Sequence, residues 1–74
     1  MDFHEYIVSD PKIMLGKPVI KGTRITVELI LQRFSEGAGI PDILKMYPHL
    51  EREGILAALQ YAQAVVADEE MANA

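Results

Sequence analysis

Thr26-Val27-Glu28-Leu29-Ile30-Leu31-Gln32-Arg33-Phe34-Ser35-Glu36-Gly37 is the stretch on which the fold turns. Thr26 brings a hydroxyl that can accept a free backbone N–H at a helix start. Val27, Ile30, Leu31 and Phe34 then recur at the spacing that lines one helical face, and Gly37 is a natural C-terminal stop. Ile25 ahead of the cap can pack on Ile30 as a hydrophobic staple, which fixes the angle at which the chain enters the helix.

Toward the C-terminus a second helix is expected from about Ile40 to Met46, with Pro41 in its first turn and Ile43, Leu44 and Tyr47 available for burial. Pro48 disfavours helix at Tyr47, so Tyr47-Pro48-His49-Leu50 reads as a tight turn. A third helix begins near Glu51, where Leu50 and Ile55 repeat the staple spacing and Ile55, Leu59, Ala62 and Val66 form an inner face. Toward the N-terminus, Glu5 to Val8 and Val19 to Ile20 are β-like, separated by the turn formers Asp10-Pro11 and Gly16-Lys17-Pro18. Pro11 and Pro18 lack the N–H that a central strand needs, so these pieces are edge strands or pair with a second copy. The fold expected is mainly α: a tri-helical helix-turn-helix bundle, homeodomain- or winged-helix-like, with a short N-terminal β element. One domain spans residues 1–74, with the β element and a basic block over 1–25, three helices over 26–67 and a solvated acidic tail over 68–74.

A chain of 74 residues, 50% of them hydrophobic and 24% charged, should fold, yet it is small enough to need help in covering its core. With Cys 0, neither a disulfide nor a thiolate metal site supplies that help, so a homodimer is expected. No stretch approaches the roughly 20 apolar residues of a membrane span, and Met1 is followed by Asp2, Glu5 and Asp10 rather than by a basic start. A cytoplasmic location without membrane contact is expected.

Catalysis is not expected, because His4, His49, Ser9, Ser35 and the scattered carboxylates show neither nucleophile nor metal-ligand spacing. Gly16-Lys17-Pro18 and Lys21-Gly22-Thr23 lack the glycine spacing of a phosphate-binding loop, so no cofactor, nucleotide or other small-molecule substrate is expected.

Net charge is -4, which is not the cation of a general nucleic-acid binder, so any DNA contact must be local. Residues 12–24 hold Lys12, Lys17, Lys21 and Arg24 with no acid among them, whereas residues 51–74 hold Glu51, Glu53, Asp68, Glu69 and Glu70 against Arg52 alone. Arg24 can clamp a phosphate bidentately, or it can pair with Asp10 or Glu28 and hold the β element to the first helix. Lys12, Lys17 and Lys21 are candidates for DNA-backbone contacts or an ordinary solvated face. The outer side of the third helix, with Glu53, Ala57, Gln60 and Ala64, is a poor reading head on which only Gln60 could address a base edge. Between Ile55 and Ala67 no residue is charged, and Leu56, Tyr61 and Val65, with Leu29 of the first helix, fall off the main apolar faces. They are candidates for a dimer or partner interface; the alternative is that the β element covers them.

The run from Asp10 through Lys17-Pro18-Val19-Ile20-Lys21-Gly22-Thr23-Arg24-Ile25-Thr26-Val27 closely resembles the signature of the bacterial family known as domain of unknown function 433. The resemblance continues through Gly37, Ile43-Leu44, Tyr47-Pro48, Leu50, Ile55, Ala58-Leu59 and Tyr61-Ala62. It implies a small tri-helical DNA-binding-type fold behind a short β element, commonly dimeric. Many members look like antitoxins paired with a PIN-like nuclease toxin. Leu15 departs from the family's pattern where a further glycine is usual, Gly39 where Ser or Thr would cap the second helix, and Glu51 where Thr would cap the third. The function expected is thus an antitoxin that neutralises a PIN-like nuclease and binds its own promoter DNA; the alternative is a structural or adaptor homodimer with no DNA role.

Overall fold

A computed structural model describes the backbone of residues 2–72 and side-chain surroundings through residue 68. Two short strands, β1 (Ile7–Val8) and β2 (Val19–Ile20), precede three helices, α1 (Val27–Ser35), α2 (Ile40–Met46) and α3 (Arg52–Ala72). The strands form an antiparallel ribbon in which Ile7 faces Ile20 and Val8 faces Val19. The ribbon pairs within one chain. Its second edge is stitched to the entrance of α1: Ile20 N–H donates to the Ile25 carbonyl at 2.9 Å and Val27 N–H to the Pro18 carbonyl at 2.9 Å. Pro18 therefore sits where only its carbonyl is needed.

The start of α1 is capped as its sequence predicts. The buried Thr26 hydroxyl accepts the Leu29 N–H at 3.0 Å. Its end is a Schellman closure, with Gly37 at φ 98, Gly37 N–H donating to the Phe34 carbonyl at 3.0 Å and Ala38 N–H to the Arg33 carbonyl at 3.1 Å. At α2 the missing hydroxyl leaves half a capping box: Gly39 N–H donates to the Asp42 carboxylate at 2.8 Å. Arg33 joins α1 to the end of α2, donating from Nε to the Tyr47 hydroxyl at 3.2 Å and from Nη1 to Glu36 at 2.9 Å. These two acceptors, Tyr47 first, raise its guanidinium pKa above the ordinary value.

Ile7, Ile20, Val27, Ile30, Ile43, Leu50, Ile55, Ala57 and Ala58 form one core in which α3 is covered on two sides. Ile55 and Leu59 lie on the side expected to be buried, but Gly54, Ala57, Ala58 and Tyr61 make a second helical stripe. Gly54 lies against β2, where an added Cβ would stand 3.3 Å from Ile20 Cγ2. Tyr61 meets Phe3 edge to face, ring centroids 5.6 Å apart. Ala57, expected on the outer face, is fully buried because the ribbon and the turn before it pack on α3 as well.

Two local expectations are corrected. Phe3–Glu5 is a single 3-10 turn rather than the start of a strand, because the Asp2 carboxylate accepts the His4 N–H at 2.9 Å and caps it. The helical backbone of α3 does not stop at Ala67 but continues to Ala72, past the start of the expected tail. The surroundings of Glu69 and Glu70 lie outside the described side chains.

Thr26→Ala should lower stability by about 1 kcal/mol and Thr26→Ser should restore most of it, because the hydroxyl closes α1 at the point where the ribbon is anchored. Chemical denaturation of the three proteins checks this.

Candidate functional site

The N-terminal cations stand on two turns that leave the ribbon. Lys12 and Lys17 flank Met14–Gly16, and Lys21 and Arg24 flank Gly22-Thr23. All four side chains are exposed, but they do not share one acid-free patch. Lys17 Nζ lies 2.9 Å from Glu28 on α1, so the ion pair between basic block and first helix is made by Lys17 and not by Arg24. Asp10, the other acid expected beside Arg24, accepts the Lys12 backbone N–H at 2.9 Å. Lys21 lines a cleft with Glu5, Tyr6, His49, Glu51 and Gly54, so two acids share its surroundings. Arg24 opens onto a separate shallow cleft with Val8, Ile13 and Val19, and no ion pair involves it among the described residues.

The Gly22-Thr23-Arg24 motif is accounted for largely by folding. Gly22 adopts φ 80, and the Thr23 hydroxyl both donates to the Ile20 carbonyl at 2.7 Å and accepts the Ile25 N–H at 3.0 Å. Motif geometry thus serves to return the chain from β2 to α1, which leaves Arg24 on the outside of the turn. At the N-terminus the Asp2 carboxyl is held below its ordinary pKa by the His4 N–H and then by the His4 imidazole at 2.8 Å. His4 also stacks on Phe3, ring centroids 4.4 Å apart, so it finishes the first turn.

The turn between Lys12 and Lys17 is unusual. Met14, Leu15 and Gly16 have φ 50, 60 and 83, a left-handed turn closed by Gly16 N–H to the Ile13 carbonyl at 3.0 Å and Lys17 N–H to the Met14 carbonyl at 3.1 Å. Left-handed backbone costs roughly 1–2 kcal/mol for each residue with a Cβ, a cost that a glycine at position 15 would not carry. Leu15 is also 93% exposed, so its side chain receives nothing from the rest of the fold.

A second open surface lies at the far end of α3. α1 has nine residues and α2 seven, whereas α3 has 21 and extends for about 32 Å at 1.5 Å per residue. No residue after Ala58 is fully buried among those whose side chains are described. The overhang and α1 form a shallow groove lined by Leu31, Ala62, Gln63, Val66 and Ala67. Leu31 is 39%, Val65 40% and Val66 50% exposed. Of the four residues expected at an interface, Val65 is exposed, Leu29 and Leu56 are half-buried, and Tyr61 is partly covered by Phe3. Leu31 and Val66 were placed on inner faces by periodicity. They emerge because the core ends before α3 does, a fact visible only in the comparison of helix lengths. Gln60 is exposed on α3, at a distance in sequence from the cation-bearing turns.

Comparisons with known proteins agree with this architecture. The family model described as "Protein of unknown function (DUF433)" matches residues 7–62. The chain is 35% identical over 60 residues to "Uncharacterized protein y4eO" of Sinorhizobium fredii, an alignment covering 81% of this chain and 27% of that protein, so the chain spans about a quarter of that relative's length. It is 67% identical over 24 residues to an "Uncharacterized protein" of Archaeoglobus fulgidus, covering 32% of this chain and 67% of that one. A crystal structure of a DUF433 member protein from Anabaena variabilis superimposes with a TM-score of 0.75 at 31% identity, covering 89% of this chain and 67% of that chain.

Leu15→Gly should leave the fold intact and raise stability by up to about 1 kcal/mol, because glycine relieves the left-handed strain and gives back part of the gain as unfolded-state entropy. Thermal unfolding of the two proteins reads the sign.

Proposed function

The chain belongs to the DUF433 family, and from that premise we propose that it is a non-catalytic, homodimeric, cytoplasmic binding module that serves as the antitoxin of a toxin–antitoxin pair. In this reading it neutralises a PIN-like nuclease by covering it with the α1–α3 groove. The observation that carries the reading is the apolar overhang of α3, where Val65 and Val66 are open to solvent on a helix that has already filled its core. No cation follows Arg52 in the sequence, and Asp68 comes directly after the groove residue Ala67, so the surface suits the basic face of a nucleic-acid-cleaving partner.

Promoter DNA is the second ligand in this reading, held by Lys12, Lys17, Lys21 and Arg24 of the two copies against the phosphate backbone. α3 is a poor recognition helix because the ribbon packs on the Gly54 to Tyr61 stripe. A homeodomain- or winged-helix-like module would then use its turns and not its third helix. The Lys17–Glu28 pair and the acids beside Lys21 favour a second reading, an adaptor homodimer with no DNA role.

Co-expression with the small nuclease of an adjacent reading frame tests the first part. The parent chain should restore growth and co-purify with the nuclease; Val66→Glu should do neither while keeping its helical circular dichroism. Failure of the folded parent chain to bind that nuclease would refute the antitoxin reading.

For DNA, affinity for a promoter duplex should fall with salt by a log–log slope of about -0.9 per phosphate contact. Lys12→Glu and Lys21→Glu should weaken binding and flatten that slope. No binding of the parent at low salt would leave the adaptor reading.

A further inference from the structure

We propose that the Met14–Gly16 turn is an apolar wedge for duplex DNA, with Leu15 entering between base pairs from the minor groove while Lys12 and Arg24 hold phosphates beside it. The inference deepens the DNA reading above and rests on it. A leucine 93% exposed on left-handed backbone is costly twice over, once in strain and once in apolar surface left in water. The folded chain offsets neither. Met14 beside it is 41% exposed, so the turn presents an apolar tip of two side chains.

The tip is held firmly by its own loop. Ile13 N–H donates to the Asp10 carbonyl at 2.8 Å, the two bonds that close Met14–Gly16 follow at once, and a Cβ on Gly16 would stand 3.8 Å from Pro11 Cα. Residues 10–17 thus fold back on themselves. A wedge needs such support, because it enters the stack by parting base pairs. Ile13 also lines the shallow cleft onto which Arg24 opens, which ties that cation to the same loop.

Charge selects the occupant. Lys12 and Arg24 are exposed, and neither is in an ion pair among the described residues. Of the acids on this side, Glu28 is paired with Lys17, and the Asp10 carboxylate accepts the Lys12 backbone N–H. Two unpaired cations beside an apolar tip match a groove in which phosphates flank the bases. An anionic bilayer is a weaker match: a single myristoyl chain binds membranes only marginally, and Leu15 with Met14 offers less apolar length. Tip-to-tip contact with a second copy would set like cations against one another.

End-to-end fluorescence energy transfer across a labelled promoter duplex, measured together with affinity, tests the wedge. The parent should bring the duplex ends closer by kinking it. Leu15→Gly keeps the turn and its cations, so it should self-associate like the parent in sedimentation and keep the parent's salt slope. It should nevertheless bind about tenfold more weakly and leave the duplex straight. Leu15→Met, which gives the tip back an apolar side chain, should kink the duplex again.

A parent that binds the duplex without bending it, or Leu15→Gly bending it as the parent does, overturns the inference and leaves the DNA reading standing. A parent that fails to bind the duplex at low salt removes both. Weakened self-association of Leu15→Gly would assign the tip to pairing between copies and overturn its role on DNA. Binding of the parent to phosphatidylserine vesicles that is lost in Leu15→Gly, with DNA bending unchanged, would assign it to a lipid surface and overturn the wedge equally.

Discussion

The contact between Gly54 and Ile20 is the constraint on which the rest of the arrangement depends. A helix backbone lies against a strand only where a side chain is missing, and here an added Cβ would stand 3.3 Å from Ile20 Cγ2. Because α3 comes this close, Ala57 and Ala58 are sealed behind it and Tyr61 reaches Phe3. The ribbon then becomes a second wall of the core rather than an appendage. Thr26 holds that wall in register, since the residue that caps α1 also adjoins Val19 in the ribbon.

Two consequences reach the surface. On the side of α3 that carries Glu53 and Gln60, those two residues stay exposed while Ala57 between them is buried by the chain's own packing. Among the described residues α3 has no fully buried side chain after Ala58, because α1 and α2 are too short to follow it. Val65 and Val66 thus sit on a rigid helical support instead of on a loop, and a rigid apolar support loses little entropy on binding.

Much of this was legible in the sequence where the cause is local. The Thr26 cap, the Gly37 stop and the break at Tyr47-Pro48 each follow from a few neighbouring residues, and each is present, while Leu50 and Ile55 are both buried in the core. What escaped was decided by distant packing. Periodicity assigns α3 one inner face, whereas the Gly54, Ala57, Ala58 and Tyr61 spacing marks a second whose partner, the ribbon, lies more than thirty residues away in sequence. The basic block was legible as a count of cations but not as a patch, since the Glu28 carboxylate that binds Lys17 comes from another element. Leu15 was visible as a departure from a glycine position, and its φ of 60 gives that departure a physical cost.

Amide hydrogen exchange along α3 in the free chain and with the nuclease added tests most directly whether the helix is divided into a core half and a docking half. The account predicts slow exchange from Ile55 to Ala62 in both, set by burial against the ribbon and α1. From Gln63 to Asp68 it predicts faster exchange in the free chain that slows as the nuclease binds. Exchange that is uniform along the helix, or that stays unchanged by the nuclease beyond Ala62, would contradict it.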